Sequence, residues 1–347
     1  MGSTQNDLAA PANSSGYAPI RKPNSVRRTS SIDVTWPAGQ GASMHVSGQA
    51  RDIYTGSQSG SIQLLRCDAF TATLSPERVI NEISSNPPRP ELKQLLNTKC
   101  GSAFRKALVD ALHQEQLAGT PLYFLLDDLA GTSLIATWAW THWGRGGKKK
   151  AANQVSRSAN KIELEALAQQ AHIERFQNVC TGFSRDSNAL LNFYNIEQNC
   201  QKVAPLLHPD DPLGWHHMPL HRGVSMRRAR RIDMWQEDHA IQIDAMFQDS
   251  ASAPDGSRSA VHEYTLQLEV NSSELTITSL KAEPRVLPYK ECPAAAANIG
   301  RLKGAPIQEL RTVVLEKLQK QEGCTHLNDA LRSLAELPTL LTQIKND

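Results

Sequence analysis

One stretch of this chain occurs twice. Ser25-Val26-Arg27-Arg28, running to Ile32-Asp33-Val34, returns as Ser225-Met226-Arg227-Arg228, running to Ile232-Asp233-Met234, at an offset of 200 (225 minus 25). Each copy is followed by alternating apolar runs and then by amphipathic helical patterns. These end on Thr120-Pro121-Leu122 in the first copy and on Thr325-His326-Leu327 in the second. Such a repeat predicts two related domains, packed about a pseudo-two-fold axis in the manner of an ancestral dimer. The copies carry unequal chemistry. The second holds His262, Cys292, Cys324 and His326. The first has no histidine between Val46 and Leu112, and it reads Gly119-Thr120-Pro121 where the second reads Cys324-Thr325-His326. A single chemical site is therefore expected mainly in the second copy.

Composition narrows the function classes. At 347 residues and 40% hydrophobic, the chain can bury two cores of ordinary size. A net charge of +2, from 37 basic and 35 acidic residues, gives no global electrostatic case for nucleic acid or an anionic membrane. No apolar run reaches the roughly 20 residues needed to span a bilayer, and the first thirty residues lack the apolar core of a secretory signal, so a cytoplasmic protein is expected. The six cysteines, Cys67, Cys100, Cys180, Cys200, Cys292 and Cys324, are dispersed without CxxC pairs and read as reduced thiols.

Four segments are expected. Residues 1–24, rich in Ser, Asn, Gly, Ala and Pro, read as a flexible tail. Residues 25–142 form a first α+β domain, a degenerate copy, with strands near 31–36, 44–53 and 61–73. Its helices are expected to begin at Ser75-Pro76, with helical spacing from Phe104 towards Leu129. Residues 143–220 are a linker and long structured loop. They open on Gly144-Arg145-Gly146-Gly147-Lys148-Lys149-Lys150, whose spacing misses a phosphate-binding P-loop, and include a short helix over 162–171. Residues 221–347 form the second α+β domain. There Ile241, Ile243, Ala245 and Phe247 alternate, as do Tyr264, Leu266, Leu268 and Val270, and then Leu275 and Ile277, which predicts three half-buried antiparallel strands. Pro306 opens a helix that ends at Gly323, and a last helix starts at Cys324-Thr325 and is interrupted by Pro338. Strands followed by helices in each copy predict α+β rather than alternating α/β.

The second copy, from about Met226 to Leu337, resembles the bacterial family catalogued as domain of unknown function 2889. The resemblance rests on Arg227-Arg228-Ala229-Arg230-Arg231-Ile232, on Val261-His262-Glu263-Tyr264, on Pro288-Tyr289 followed by Cys292-Pro293, and above all on Gly323-Cys324-Thr325-His326-Leu327. Glu263-Tyr264 stands where the family tends to have Asp-Met. The resemblance implies a bacterial cytoplasmic protein and carries no established activity.

Several residues of the second copy have the chemistry of a site. His262 shares strand parity with Tyr264, so its imidazole points to the apolar side of the sheet; it reads either as a core histidine satisfied by one hydrogen bond or as a general acid/base. Cys324 and His326 sit at a helix start, which favours an anion or thiolate; the alternative is that Cys324 and Cys292 are small buried hydrophobes. Two residues apart, the Cys324 and His326 side chains are expected to diverge. A zinc site from Cys292, Cys324, His262 and His326 is chemically open, though without standard spacing, and no metal is assigned. The stretch His208-Pro209-Asp210-Asp211-Pro212-Leu213-Gly214-Trp215-His216-His217 reads either as a lid over the site or as an exposed linker. Cys180, in a turn-like stretch, would need a basic partner to act as a nucleophile. Arg227, Arg228, Arg230 and Arg231 should project two to each face of the sheet, pairing with acids such as Asp233 or Asp249, or binding a substrate anion.

The expectation is a cofactor-independent or metal-assisted enzyme of lyase, hydratase or isomerase type acting on a small organic catabolic intermediate. The chain has neither a dinucleotide glycine fingerprint nor a Walker motif. His262, His326 and Cys324 are the catalytic candidates; Arg228, Arg231, Trp215, His216 and Tyr264 are the substrate-binding candidates. The alternative is a non-catalytic ligand-binding protein or the accessory subunit of a larger enzyme. The partners are a small molecule and, compatibly, a second copy or a partner subunit, with neither nucleic acid nor membrane. Trp215 and His216 are expected to cover a pocket lined by His262, Cys324 and His326.

Overall fold

In the computed structural model, residues 13–57, 61–147, 159–191 and 198–342 are described. The strands are β1 (Ser25–Thr35), β2 (Met44–Thr55), β3 (Ile62–Leu74), β4 (Ile80–Asn86), β5 (Gln201–Lys202), β6 (Ser225–Glu237), β7 (Ala240–Ser252), β8 (Arg258–Asn271) and β9 (Ile277–Val286). The α-helices are α1 (Phe104–Ala111), α2 (His113–Leu117), α3 (Pro121–Ile135), α4 (Trp138–Gly147), α5 (Ala159–Phe176), α6 (Asn188–Leu191), α7 (Leu310–Lys317), α8 (Thr325–Arg332) and α9 (Leu337–Leu341).

The two repeated stretches are β1 and β6, and they pair with each other. They run antiparallel with Ser30 opposite Arg230, Arg27 opposite Asp233 and Asp33 opposite Arg227. Through this seam the expectation of two separate sheets gives way to one continuous antiparallel sheet. Its order is β4-β3-β2-β1-β6-β7-β8, with β5 and β9 both on the outer edge of β8. The fold is α+β, with helices between the strand groups. Two cores form on its helix-bearing face. Each borrows from across the seam: Val26 packs in the core of the second half, and Met226 in that of the first. A split at the seam would expose both, so burial itself favours continuity.

The seam is stitched by arginine forks. Arg27 gives Nε and Nη2 to Asp233 at 2.5 and 2.8 Å, and Arg227 gives the same atoms to Asp33 at 2.7 and 2.9 Å. Each also donates from Nη2 to a proline carbonyl 2.7 Å away, Pro19 for Arg27 and Pro219 for Arg227. On the other face Arg28 forks onto Asp52 and Arg228 onto Asp249. Here the helices cross over. Arg28 also reaches Glu336 of the second half, whereas Arg228 and Arg230 reach Asp128 of α3. Planar guanidinium forks satisfy both carboxylate oxygens at once, which is what makes these charges tolerable in the interior.

Local departures from the expected elements have local causes. Ser75-Pro76 does not open a helix. Ser75 Oγ instead accepts from the Glu77 and Val79 N–H groups, its carbonyl accepts from Arg78, and the resulting turn feeds β4. The helical run from Phe104 is divided at Leu112 (φ −127°) and at Gly119 (φ +55°), where a left-handed backbone suits glycine. The break expected after residue 142 falls inside α4, and the Lys148 to Lys150 run lies outside the described residues. The helix expected over 162–171 extends over Ala159–Phe176. The helix from Pro306 begins as a short 3-10 turn and ends at Lys317, ahead of Gly323; past Pro338 the chain continues as α9.

The stretch expected to be a loose tail is held down along the part that is described. Ser14 and Ser15 hydroxyls donate to the buried carboxylate of Glu263 at 2.8 and 2.6 Å, and Ala18 N–H donates to the Leu206 carbonyl. Arg21 pairs with Asp211. Residues 13–24 and the 206–219 loop together cover the sheet face opposite the helices. Among the described residues no helix is long and apolar enough to cross a membrane.

Candidate functional site

The site grows from one rung of the sheet. Arg228 on β6, Asp249 on β7 and His262 on β8 are directly cross-strand neighbours, so their side chains project together from the helix-bearing face. The Asp249 carboxylate is wholly buried. Burial alone would push it up, yet the charge of Arg228 and contacts from His262 and Arg228 hold it well below the usual carboxylate range. It is therefore an anion throughout the physiological range. His262 Nδ1 stands 3.4 Å from Asp249 Oδ2 but has no hydrogen-bond partner at proper geometry.

The helix start supplies the second imidazole. Cys324 is the cap residue of α8, in an extended conformation (φ −124°, ψ 131°), and Thr325 and His326 open the first turn. That turn brings His326 Nε2 to 3.8 Å from Asp249 Oδ2 and stacks its ring on that of His262, with centroids 3.5 Å apart and planes 19° apart. Cys324 Sγ lies 3.9 Å from His326 Nδ1. The side chains expected to diverge thus converge, because the extended cap residue turns the thiol back towards the ring. Burial, and then the neighbouring His262, push His326 well below the usual histidine range despite Asp249, which keeps it neutral. Burial pushes the Cys324 thiol up, so it is a thiol and not the activated thiolate that a helix start can produce. Tyr264, the next inward residue of β8, is fully buried beside Cys324 and Cys292, and burial first of all raises its phenol well above the ordinary value.

His262, Cys324 and His326 therefore meet, and Tyr264 joins them. The other candidates do not. Arg228 touches the site only through Asp249, with both of its fork atoms committed, and Arg231 lies on the opposite face, paired with Asp233 and Asp244. Neither has a free edge for a substrate anion. Trp215 and His216 also lie on the opposite face. Trp215 packs with Ala18, Leu206, Ala229 and Met246, and His216 is held between Thr29 Oγ1 at 3.0 Å and Ser31 Oγ at 2.7 Å. The loop expected as a lid is a strap behind the sheet. Cys292 lies near Cys180, since a Cβ built on Gly182 would stand 2.7 Å from the Cys292 sulfur and 3.8 Å from that of Cys180. A cleft of about 480 Å³ lined in part by Lys22, Asp233, Trp235 and Lys281 also opens on the strap face and includes none of the histidines at this site.

The sequence points to Asp249 as an arginine partner but not as a member of the site. Its signal lies in the parity of β7, where it follows Phe247 on the inward side, but the pairing of strands is needed to bring it to His262. In the first half the corresponding rung runs Arg28, Asp52, Arg66. There Arg66 occupies the place of His262 and donates to the Ala118 carbonyl.

Residues 226–339 match the family model described as "Protein of unknown function (DUF2889)". No curated protein and no solved structure matches the chain. The segment that family describes contains every residue of the cluster, Arg228, Asp249, His262, Tyr264, Cys324 and His326.

Proposed function

We propose that the chain is an internally duplicated cytoplasmic protein whose second half is a non-redox enzyme of acid–base type, a lyase, hydratase or isomerase acting on a small organic molecule. The duplication is supported by the seam, where Ser30 faces Arg230 and each arginine fork on one strand has its counterpart on the other. The observation that carries the enzymatic reading is the convergence of one permanently ionised carboxylate and two imidazoles at Asp249, His262 and His326. Asp249 Oδ2 stands 3.4 Å from His262 Nδ1, where a carboxylate can orient an imidazole, and His326, neutral beside them, offers a bare nitrogen to the substrate. The His326 side chain is 21% exposed while that of His262 is 6% exposed, so substrate would approach from the His326 side.

Acid–base chemistry at carbon leaves an isotopic trace whatever the substrate. Incubated in D2O with a mixture of small hydroxy, keto and unsaturated acids, the protein should place deuterium on one or a few compounds, read by mass spectrometry. His326→Gln should abolish the incorporation while the thermal midpoint holds. Incorporation that persists in His326→Gln, or none across a broad set, would count against the reading.

A further inference from the structure

The geometry points to a divalent transition-metal site of the zinc class formed by Asp249, His262 and His326. This deepens the acid–base reading and rests on the same three side chains. Each offers one ligand atom, and these atoms lie within 4.8 Å of one another. The two separations to Asp249 Oδ2, 3.4 Å from His262 Nδ1 and 3.8 Å from His326 Nε2, compare with the ~3.3 Å between ligands of a tetrahedral ion bound at about 2.0 Å. Binding would also turn the two rings out of their stack, whose planes lie 19° apart, so that both nitrogen lone pairs meet the ion.

Three further features fit an ion. His262 Nδ1 is buried 3.4 Å from Asp249 Oδ2 without a hydrogen bond, which leaves its lone pair free for a ligand bond. His326 Nδ1 faces Thr325 Oγ1 at 3.5 Å and the Cys324 sulfur at 3.9 Å. A proton held there leaves Nε2 bare on the Asp249 side, the usual division of labour in a ligating imidazole. Arg228 meanwhile clamps Asp249 from behind through both oxygens and fixes the carboxylate's orientation. Two imidazoles and one carboxylate suit Zn2+, Co2+ or Fe2+ and leave a fourth position, on the more exposed His326 side, for water or substrate. Bound there, the ion would lower the pKa of that water or polarise a substrate oxygen.

The test is metal content and Co2+ spectroscopy on the full chain. Purified protein should carry or take up one equivalent of Zn2+. Replacement by Co2+ should give visible d–d bands with no thiolate charge-transfer band. His326→Gln and, independently, His262→Gln should each remove the saturable site at unchanged far-UV circular dichroism, while His216→Gln on the opposite face should leave it intact. A thiolate band would overturn the assignment in favour of a set that includes Cys324 or Cys292. Binding unaltered in both variants, or no binding above background, would overturn it outright. Because binding is read without turnover, a metal-free protein that still exchanges deuterium would sink the metal site and keep the acid–base reading, and a metal-loaded protein that exchanges none would do the reverse.

Discussion

Replacing Asp249 by Asn should cost about 3 kcal/mol of unfolding free energy, the lower end of the 3–5 kcal/mol for leaving one partner of a buried ion pair alone. The Asp249 side chain is 0% exposed and accepts Nε and Nη2 of Arg228 at 2.8 and 2.9 Å. Asparagine keeps one acceptor and turns an NH2 towards the guanidinium, so Arg228 stays charged, buried and half-satisfied. What holds the cost to the lower end is the other edge of the fork, where Nη1 has Asp128 at 3.5 Å and Asp329 at 3.9 Å. The first half provides an internal comparison. Arg28, relieved of Asp52, would keep Glu336 at 2.6 Å and the Gly119 carbonyl at 2.8 Å, so Asp52→Asn should cost less than Asp249→Asn. Urea unfolding followed by tryptophan fluorescence measures both, and the double variant Asp249→Leu with Arg228→Met should recover at least half the loss, since no charge is then stranded. A loss under about 1 kcal/mol for Asp249→Asn at unchanged m-value would refute the claim that this rung ties the fold.

Two further outcomes follow from the same contacts. Burial, then the positive charge of Arg51 and Arg227, push His216 down to about 3, while the unfolded chain protonates it near 6.5. Its contribution is therefore complete above about 6.5 and is lost as pH falls towards the folded value, amounting to about 2 kcal/mol by pH 5; urea midpoints between pH 7 and 5 should fall less steeply in His216→Gln, with His326 supplying a residual slope of the same sign. Gly131 lies within α3, where alanine would ordinarily gain up to about 1 kcal/mol, but its Cβ would stand 2.4 Å from Arg228 Nη1 and 3.2 Å from Asp329 Oδ2. Gly131→Ala should therefore destabilise by about 1–3 kcal/mol, whereas Gly300→Ala, with nothing within 4 Å, should stay within about 0.5 kcal/mol in the same assay.

What can be read from the sequence is whatever depends on local periodicity. β7 and β8 alternate plainly because the residues facing the helices are apolar and those facing the strap are mostly not. The apolar pattern predicts β1 only from residue 31, although it begins at Ser25, because Arg27-Arg28-Thr29-Ser30 carries no apolar signal. Arg27 and Arg28 are buried all the same, through carboxylates contributed by β6 across the seam and by β2, and Thr29 is buried against His216. A polar stretch whose partners are distant in sequence looks like surface until those partners are known. The same holds for Ser14 and Ser15, which read as tail until Glu263, about 250 residues on, is seen to need two donors. His262 and His326 can be brought together from strand parity and a helix start. Trp215 and His216 lie on the face opposite to the expected one, because proximity in sequence to β6 says nothing about which side of the sheet a loop crosses.

The asymmetry of the molecule can then be stated as a difference at one rung. Arg28-Asp52 and Arg228-Asp249 are the same buried fork on the same face. The third position is a guanidinium in one half and an imidazole in the other, Arg66 against His262. A guanidinium stays protonated at any physiological pH and can only donate, so it finishes the rung by capping a carbonyl. An imidazole can present a bare nitrogen to a proton or a metal. At the second position of the helix the first half has Leu122, which has no side-chain donor or ligand atom, where the second has His326. The second half thus differs from the first in the side chains laid beside the same buried arginine–carboxylate fork. Under the proposed function, variants at His262 and His326 should therefore lose activity at an unchanged thermal midpoint, while Asp249→Asn should lose stability first.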